Sequence, residues 1–487
     1  MGIPASCHSY VSVCCRCTIA TMAGTFACDG VLYRRGDEGY ESARVDPIFN
    51  GRKPDRFPVA ILEAANETDV VAGVRLAITN GWKISVRAGG HSWAAWSLRD
   101  EALLIDLGRM RELRIDIENH LAIVSPSLQG GQHLAPFLAE HGFQFTGGHC
   151  STVGLGGFVL QGGQGWNSRT WGWGCENLMA IDVVTADGNL VHASETENTD
   201  LLWAARGAGP GFFGVVTRMY LRVYPTPGVM AQTTYVFPMA AFHGLMAWAH
   251  EILPTLRTEV EPVIVGARTP IPFPPDVEPP PNAPKPGEAY IVMHTTCMCD
   301  SLEQAANYMA PLESCPVLDQ AIVRDFCIPT SIAEENPMMD AQNPKGLRYH
   351  TDCVWTDASA EDLLPRLQPL FATLPTEPSF CIWYGWAPKR QLKDMAFSME
   401  GDVYVAVYAM CDTSEEDAGV KAWLDERMAA LAPVAKGLYL GDSDFTRRSA
   451  KFMADANFAK LEALRAAHDP THMFASYLIN PEFSLNT

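Results

Sequence analysis

Glycine-rich segments recur at five places between residues 87 and 217, and they constrain the fold more than any other feature of the chain. The first reads Arg87-Ala88-Gly89-Gly90-His91-Ser92 and follows a β-type run, and the second spans 147–157 and contains Cys150. Glycine lets the backbone approach a ligand without a Cβ clash. Imidazole and thiolate groups both form covalent intermediates readily. The two loops therefore predict a flat cofactor between them, tethered twice.

These motifs resemble those of the berberine-bridge-enzyme-like flavoproteins, within the vanillyl-alcohol-oxidase and p-cresol-methylhydroxylase (PCMH) superfamily. In that family the His of R-A-G-G-H bonds the flavin 8α-methyl, and the Cys of C-x-x-V-G-x-G-G bonds flavin C6. The resemblance assigns these roles to His91 and Cys150 and implies FAD as the cofactor. It implies an α+β fold, with a two-lobed PCMH-type FAD-binding domain and a substrate domain whose antiparallel sheet is covered by helices.

Further residues expected to bind FAD lie in or near the same motifs. They are Arg87, Ala88, Gly89, Gly90, Ser92, Gly148, Val153, Gly154, Gly157, Gly162, Gly163, Gly165, Gly214, Val215, Val216 and Tyr477. In the family, the position of Val153 lies beside the flavin carbon that reacts with oxygen, and valine there is typical of oxidases. Backbone N–H groups in the glycine loop are expected to lower the pKa of Cys150.

Oxidation of an alcohol or amine also needs a base that takes the substrate proton. In the strand-like run 402–408, Tyr404 and Tyr408 fall on one face. Asp442 stands where the family carries an Asn-Tyr pair, and either Asp442 or Tyr477 is a candidate to replace it. The candidate catalytic residues are therefore Tyr408, Tyr404, Tyr384 and Asp442, and no metal site is expected.

Five aromatic residues of the same region are expected to contribute to a wall that binds flat rings or sugars. They are Trp355, Phe380, Trp383, Tyr384 and Trp386.

Two other chemistries fit the local context less well. Residues 209–214 match the dinucleotide fingerprint G-x-G-x-x-G, but a helical pattern precedes them and a β-type pattern follows, the reverse of the required order. The segment 90–94 is similar to a hydrolase nucleophile elbow, but its second glycine is missing. Both matches are interpreted as accidental.

The net charge of −20 argues against a nucleic-acid or anionic-membrane partner. No run of eighteen apolar residues is present and no signal peptide is recognised, so a cytoplasmic location is expected. The expected partners are a small-molecule substrate and O2, for a monomer or homodimer.

Four segments are expected along the chain. Residues 1–44 form an N-terminal extension, in part disordered; 45–225 form the FAD-binding domain; 226–436 form the substrate-binding domain; and 437–487 return to the first domain. Nine prolines between Pro270 and Pro286 predict an irregular surface loop.

The sequence thus predicts an FAD-dependent oxidase with two covalent flavin bonds. It would oxidise an alcohol or amine carbon of a secondary metabolite or sugar by hydride transfer to flavin N5, with O2 as acceptor and H2O2 as product. The alternatives are a flavin dehydrogenase or oxidative cyclase of secondary metabolism, and a flavin-bearing binding protein without turnover.

Overall fold

The N-terminal part of the chain forms a mixed four-stranded sheet. A computed structural model describes residues 17–21, 24–269, 271 and 279–486. Strands β1 (Cys17–Thr21) and β2 (Gly24–Cys28) form a separate antiparallel pair. The sheet has the order β3-β4-β6-β5, and its strands are β3 (Val31–Arg34), β4 (Ala60–Glu63), β5 (Lys83–Arg87) and β6 (Ala102–Asp106). Strands β4, β6 and β5 are parallel.

Helices α1 (Tyr40–Val45) and α2 (Glu67–Asn80) belong to this lobe. Helix α2 begins at Glu67, because the Asn66 side chain caps it by accepting a hydrogen bond from the Asp69 backbone N–H. It ends at Gly81, whose positive φ of 64° suits a C-terminal glycine cap.

The ordered lobe starts well before residue 45, which corrects the boundary of the predicted N-terminal extension. Strand β3 pairs with β4, and the Tyr40 hydroxyl donates to the Pro58 carbonyl oxygen over 2.6 Å. These long-range contacts give residues 31–45 a place on the sheet that their short local pattern did not indicate. The first sixteen residues lie outside the described part of the chain.

A five-stranded antiparallel sheet follows, in the order β11-β10-β12-β8-β7. Its strands are β7 (Leu113–Asp116), β8 (Leu121–Val124), β10 (Leu178–Val184), β11 (Leu190–Ser194) and β12 (Val215–Arg222), with β9 (Phe143–Gln144) and β13 (Tyr224–Pro225) as a separate pair. Its helices are α3 (Ala135–Glu140), α4 (Leu155–Leu160), α5 (Ser168–Trp171) and α6 (Thr199–Ala205). A tight turn over residues 185–189 joins β10 and β11 as an antiparallel hairpin.

The third sheet has seven antiparallel strands in the order β17-β14-β16-β15-β19-β20-β18. They are β14 (Val229–Pro238), β15 (Val260–Ala267), β16 (Tyr290–Cys299), β17 (Val323–Thr330), β18 (Arg348–Thr356), β19 (Phe380–Gly385) and β20 (Val403–Cys411). The helices that follow β13 are α7 (Phe242–Ile252), α8 (Leu302–Met309), α9 (Ile332–Gln342), α10 (Ala360–Ala372), α11 (Asp417–Leu431) and α12 (Asp455–His468).

Strand alternation gives the seven-stranded sheet two different faces. In β16, Ile291 and Met293 pack into an apolar core with helices α7, α8, α10 and α11, whereas Val292 and His294 point into a cavity. The sheet covered by helices on one face, expected from the sequence, is confirmed. The uncovered face forms the roof of the cavity.

The C-terminal segment returns to the first lobe, where Phe474 forms a parallel bridge with Ile84 of β5. Within the proline-rich segment, residues 279–286 are irregular or turns between β15 and β16, whereas residues 270 and 272–278 lie outside the described part of the chain. Among the described residues, no helix combines the length and the apolar character needed to span a bilayer.

Candidate active site

A cavity of about 1040 Å³ lies between the glycine-rich loops and the uncovered face of the seven-stranded sheet. Its floor includes residues 84–93 and parts of 148–166, and its roof comes from β14, β15, β16, β19 and β20. Helix α9 contributes Met338 and Met339 to one side. The volume is at the upper limit of ordinary ligand pockets, about 300–1,000 Å³.

The first glycine loop is held by the side chain that precedes it. The Arg87 guanidinium donates to Asp106 over 2.6 Å and to the Arg44 carbonyl oxygen over 2.9 Å. Gly90 has a positive φ of 72°, and a Cβ there would overlap the Pro47 carbonyl group. This sharp turn directs His91 into the cavity.

The second glycine loop crosses the first at close range. A Cβ on Gly89 would lie 2.8 Å from the Cα of Gly154, so neither position has room for a side chain. The crossing places His91 and Cys150 on the same wall of the cavity, although 59 positions separate them.

Thr152 links these two side chains. Its hydroxyl lies 3.0 Å from His91 Nε2 and 3.5 Å from Cys150 Sγ. One face of the His91 ring stacks on Phe49, with ring centroids 4.2 Å apart. A single threonine therefore orients both nucleophiles, and Phe49 restricts the rotation of the imidazole.

Burial shifts the pKa values of the two nucleophiles in opposite directions. Desolvation lowers the pKa of His91 to about 4, so the imidazole is neutral at pH 7. Desolvation raises the pKa of Cys150, and hydrogen bonds from Thr152 oppose that rise only in part. The expected lowering of the Cys150 pKa is therefore wrong, because burial outweighs the polar groups of the loop.

A second polar cluster forms around the carboxylate of Asp442. It accepts hydrogen bonds from the hydroxyls of Tyr404 and Tyr408 over 2.7 and 2.9 Å, and from Trp93 Nε1 over 3.0 Å. Burial raises the pKa of Asp442, while the three donors oppose that rise. Burial and the Asp442 charge raise the pKa of Tyr408 well above its ordinary value.

Only one of these two tyrosines reaches the cavity. Tyr408 lines it and stacks on Phe380, with ring centroids 4.6 Å apart. Tyr404 is fully buried behind the wall, against Trp355. Asp442 also lines the cavity. Tyr408 with Asp442 is therefore the phenol–carboxylate pair that a bound molecule can reach.

The third predicted tyrosine, Tyr384, belongs to a different cluster. It lines the cavity, and its hydroxyl donates to Glu261 over 3.0 Å. Glu261 also accepts the backbone N–H groups of Asn167 and Arg169. Tyr384 thus lies in the site, but its hydroxyl already has a carboxylate partner deep in the wall.

Sequence comparison identifies the cofactor class. The family described as "FAD binding domain" matches residues 58–194. The FAD-linked oxidoreductase ptmO of Penicillium ochrochloron is 34% identical over 456 residues, which are 93% of this chain and 97% of the relative. The chain belongs to the family of FAD-linked oxidoreductases.

Other relatives of this oxidoreductase are similar over shorter lengths or at lower identity. A xylooligosaccharide oxidase of Thermothelomyces thermophilus is 41% identical over 182 residues, 37% of this chain and 36% of the relative. The 6-hydroxy-D-nicotine oxidase of Arthrobacter nicotinovorans has a TM-score of 0.80 at 22% identity, covering 95% and 100% of the two chains. BBE-like 1 of Physcomitrella patens has a TM-score of 0.76 at 18% identity, covering 93% and 97%. These structures confirm the predicted α+β fold.

The cavity of this FAD-linked oxidoreductase suits its cofactor. Glycines leave the floor open to a planar ring, and a Cβ on Gly156 would lie 2.9 Å from that of Ala88. Gln164 lines the cavity, and its side-chain amide nitrogen Nε2 is buried without a hydrogen-bond partner among the described residues. Such a donor fits the oxygen-rich surface of FAD.

Most residues predicted to bind FAD line this cavity, but five lie behind its wall. The lining includes Arg87, Ala88, Gly89, Gly90, His91, Ser92, Gly148, Cys150, Val153, Gly154, Gly157, Gly214 and Val216. Those behind the wall are Gly162, Gly163, Gly165, Val215 and Tyr477.

Local packing explains why these five residues lie behind the wall. The positive φ values of Gly162 and Gly163 shape a turn against Phe158 and Tyr439. In β12, alternation turns Val216 toward the cavity and Val215 away from it. The Tyr477 hydroxyl donates to the Ala208 carbonyl oxygen over 2.7 Å, away from the cavity.

The predicted aromatic wall is also smaller than expected. Phe380 and Tyr384 line the cavity. Trp355, Trp383 and Trp386 are fully buried in the two cores instead. Sequence alone does not distinguish an aromatic residue that faces a ligand from one that packs between layers.

Three site residues were not predicted. Thr152 lies inside the Cys150 motif, and its position two residues after Cys150 was the signal that could have identified it. Trp93 follows His91 by two positions and donates to Asp442. Asp340 of α9 accepts the Ser151 backbone N–H over 3.0 Å, a contact across 189 positions for which the sequence has no local signal.

Proposed function

We propose that the protein is a bicovalently flavinylated FAD oxidase that oxidises an alcohol or amine carbon of a small organic molecule. One observation carries this proposal: His91 and Cys150, joined through Thr152, share a cavity with the Tyr408–Asp442 pair. When bound, FAD supplies the two-electron acceptor for hydride from the substrate carbon. The protein's own residues hold FAD, move the substrate proton and control oxygen access.

Proton removal is assigned to Tyr408. The substrate hydroxyl or amine gives its proton to the Tyr408 oxygen, and the phenolic proton moves along the 2.9 Å hydrogen bond to Asp442. The raised pKa of Asp442 supports this assignment, because burial makes the protonated carboxyl easier to form. Trp93 and Tyr404 hold the carboxylate toward Tyr408.

The two flavin bonds should respond differently to pH. The thiolate is the reactive form of Cys150, and its pKa is raised, so its fraction should rise about tenfold per pH unit through pH 6–9. His91, with a pKa of about 4, is already neutral throughout that range. In Cys150→Ala the rate of His-bond formation should therefore be flat, whereas in His91→Ala the Cys-bond rate should climb. Mass spectrometry of flavin peptides during reconstitution measures both rates, and parallel pH profiles would contradict the mechanism.

Oxygen reactivity is assigned to Val153, which lines the cavity three residues after Cys150. Leucine adds one methylene and should fill the small apolar space in which O2 meets the reduced ring. Val153→Leu is expected to slow reoxidation of dithionite-reduced flavin by air by about tenfold or more, with little change in anaerobic reduction by substrate. Stopped-flow absorbance separates the two half-reactions. A wild type that reoxidises as slowly as the leucine variant is a dehydrogenase.

A further inference from the structure

We propose that the substrate is a flat, hydrocarbon-bodied alcohol or amine that lies against an apolar row on the roof of the cavity. The apolar row consists of Val236, Val292, Val265 and Ile382. This inference rests on the proposed function, because it concerns the substrate of the same site. It separates two classes that the reaction itself leaves open, a hydrocarbon body and a sugar.

The row is continuous across four neighbouring strands. Val236 of β14 is the register partner of Val292 in β16, Val292 is the partner of Val265 in β15, and Val265 is the partner of Ile382 in β19. Adjacent strands lie about 4.8 Å apart, so the row is about 14 Å long. All four side chains are β-branched, and they form a flat, stiff surface.

This surface is partly accessible from the cavity. Val292, Val265 and Ile382 are only half-buried, and all four residues of the row line the cavity. Met338 of α9 is 41% exposed and lines the same cavity, which extends the apolar surface to one side. Covering accessible apolar area in a cavity with a hydrocarbon removes it from water, which lowers the free energy.

Two polar side chains next to the row, Thr234 and Tyr384, already have protein hydrogen-bond partners. Thr234 donates to Gln232 over 2.6 Å, and its oxygen lies 2.9 Å from His294 Nδ1. The opposite nitrogen of His294 lies 3.3 Å from the Glu335 carboxylate without a hydrogen bond, whereas Tyr384 donates to Glu261. Sugar hydroxyls placed directly against the four apolar side chains of the row would lack partners, which is unfavourable.

The row also leads to the proposed base. Its last residue, Ile382, packs with Phe380 and Tyr408 against the same apolar cluster. A molecule whose hydroxyl or amine meets Tyr408 can therefore extend its hydrocarbon body along the row toward Val236. One reactive polar group at one end of an apolar body matches this arrangement.

Calorimetric titration of the holoenzyme tests the assignment with two probes, 2-naphthalenemethanol and cellobiose. We expect saturable binding of 2-naphthalenemethanol and no saturable heat with cellobiose. Val265→Thr and Val292→Thr keep the side-chain shape but place a hydroxyl on the row, so each should weaken naphthalenemethanol binding by about tenfold. Val191→Thr, on half-buried β11 outside the cavity, is the matched control and should bind as the wild type does.

Three results would overturn the assignment: saturation by cellobiose, lack of binding of 2-naphthalenemethanol, or naphthalenemethanol binding that the two roof variants leave unchanged. Thermal melts verify that the variants are folded. Failure of the proposed function would be seen in other measurements. Release of flavin by acid would contradict covalent attachment, and slow reoxidation by air would contradict an oxidase. Both are measured without any substrate. The two failures are therefore distinguishable.

Discussion

Replacing Tyr408 with phenylalanine should lower the rate of flavin reduction by substrate about 10²–10⁴-fold, the range for loss of a positioned general base. The change removes only the hydroxyl that lies 2.9 Å from Asp442, and the ring keeps its stacking on Phe380. Substrate affinity should therefore change much less than the rate. Anaerobic stopped-flow measurements, with an alcohol or amine that reduces the wild type, separate the two quantities.

Tyr404→Phe is the matched control, because Tyr404 donates to the same carboxylate from behind the wall. We expect it to slow reduction by about tenfold or less.

Asp442→Asn should be nearly as slow as Tyr408→Phe, because the amide does not accept the phenolic proton. In the wild type, activity should fall at acidic pH as Asp442 becomes protonated, and this acidic limb should disappear in Asp442→Asn. If Tyr404→Phe slowed flavin reduction more than Tyr408→Phe, the assignment of Tyr408 as the base would be wrong.

Replacing both His91 and Cys150 with alanine should convert complete retention of flavin after acid precipitation into complete release. Each single variant should keep yellow colour in the pellet, because the other side chain still holds the ring. Tryptic peptide masses identify the linked residue in each case. An unmodified Cys150 peptide from folded holoprotein would exclude the second bond and leave attachment through His91 alone.

Thr152→Val sharpens this test, because it keeps the side-chain shape and removes only the hydroxyl between the two nucleophiles. We expect the Cys150 bond to form more slowly, since the hydrogen bond from the Thr152 hydroxyl would no longer oppose the rise that burial causes in the pKa of the thiol. The His91 bond should still form. Equal rates in Thr152→Val and the wild type would show that the bridge has no part in attachment.

Residue patterns indicated the parts of this protein that depend on local geometry. Gly90 and Gly163 adopt positive φ values that favour glycine, so the glycine-rich segments were readable as sharp turns. The strand alternation of β20 was similarly visible over a few residues. The identity of Val215 and Val216 did not show which of the two faces the cavity, since both are apolar.

The sequence by itself determined the flavoprotein family, the cofactor loops and the α+β class of the fold, because each of these follows from motifs of neighbouring residues. Only the tertiary structure decided which side chains meet. Tyr408 contacts Asp442 across 34 positions, and the apolar row joins residues from four strands between Val236 and Ile382. The pKa of Cys150 was likewise decided by burial, which is a property of the packed loops. Propensity and periodicity act over a few residues, whereas these contacts depend on sheet register and on the C-terminal return of the chain.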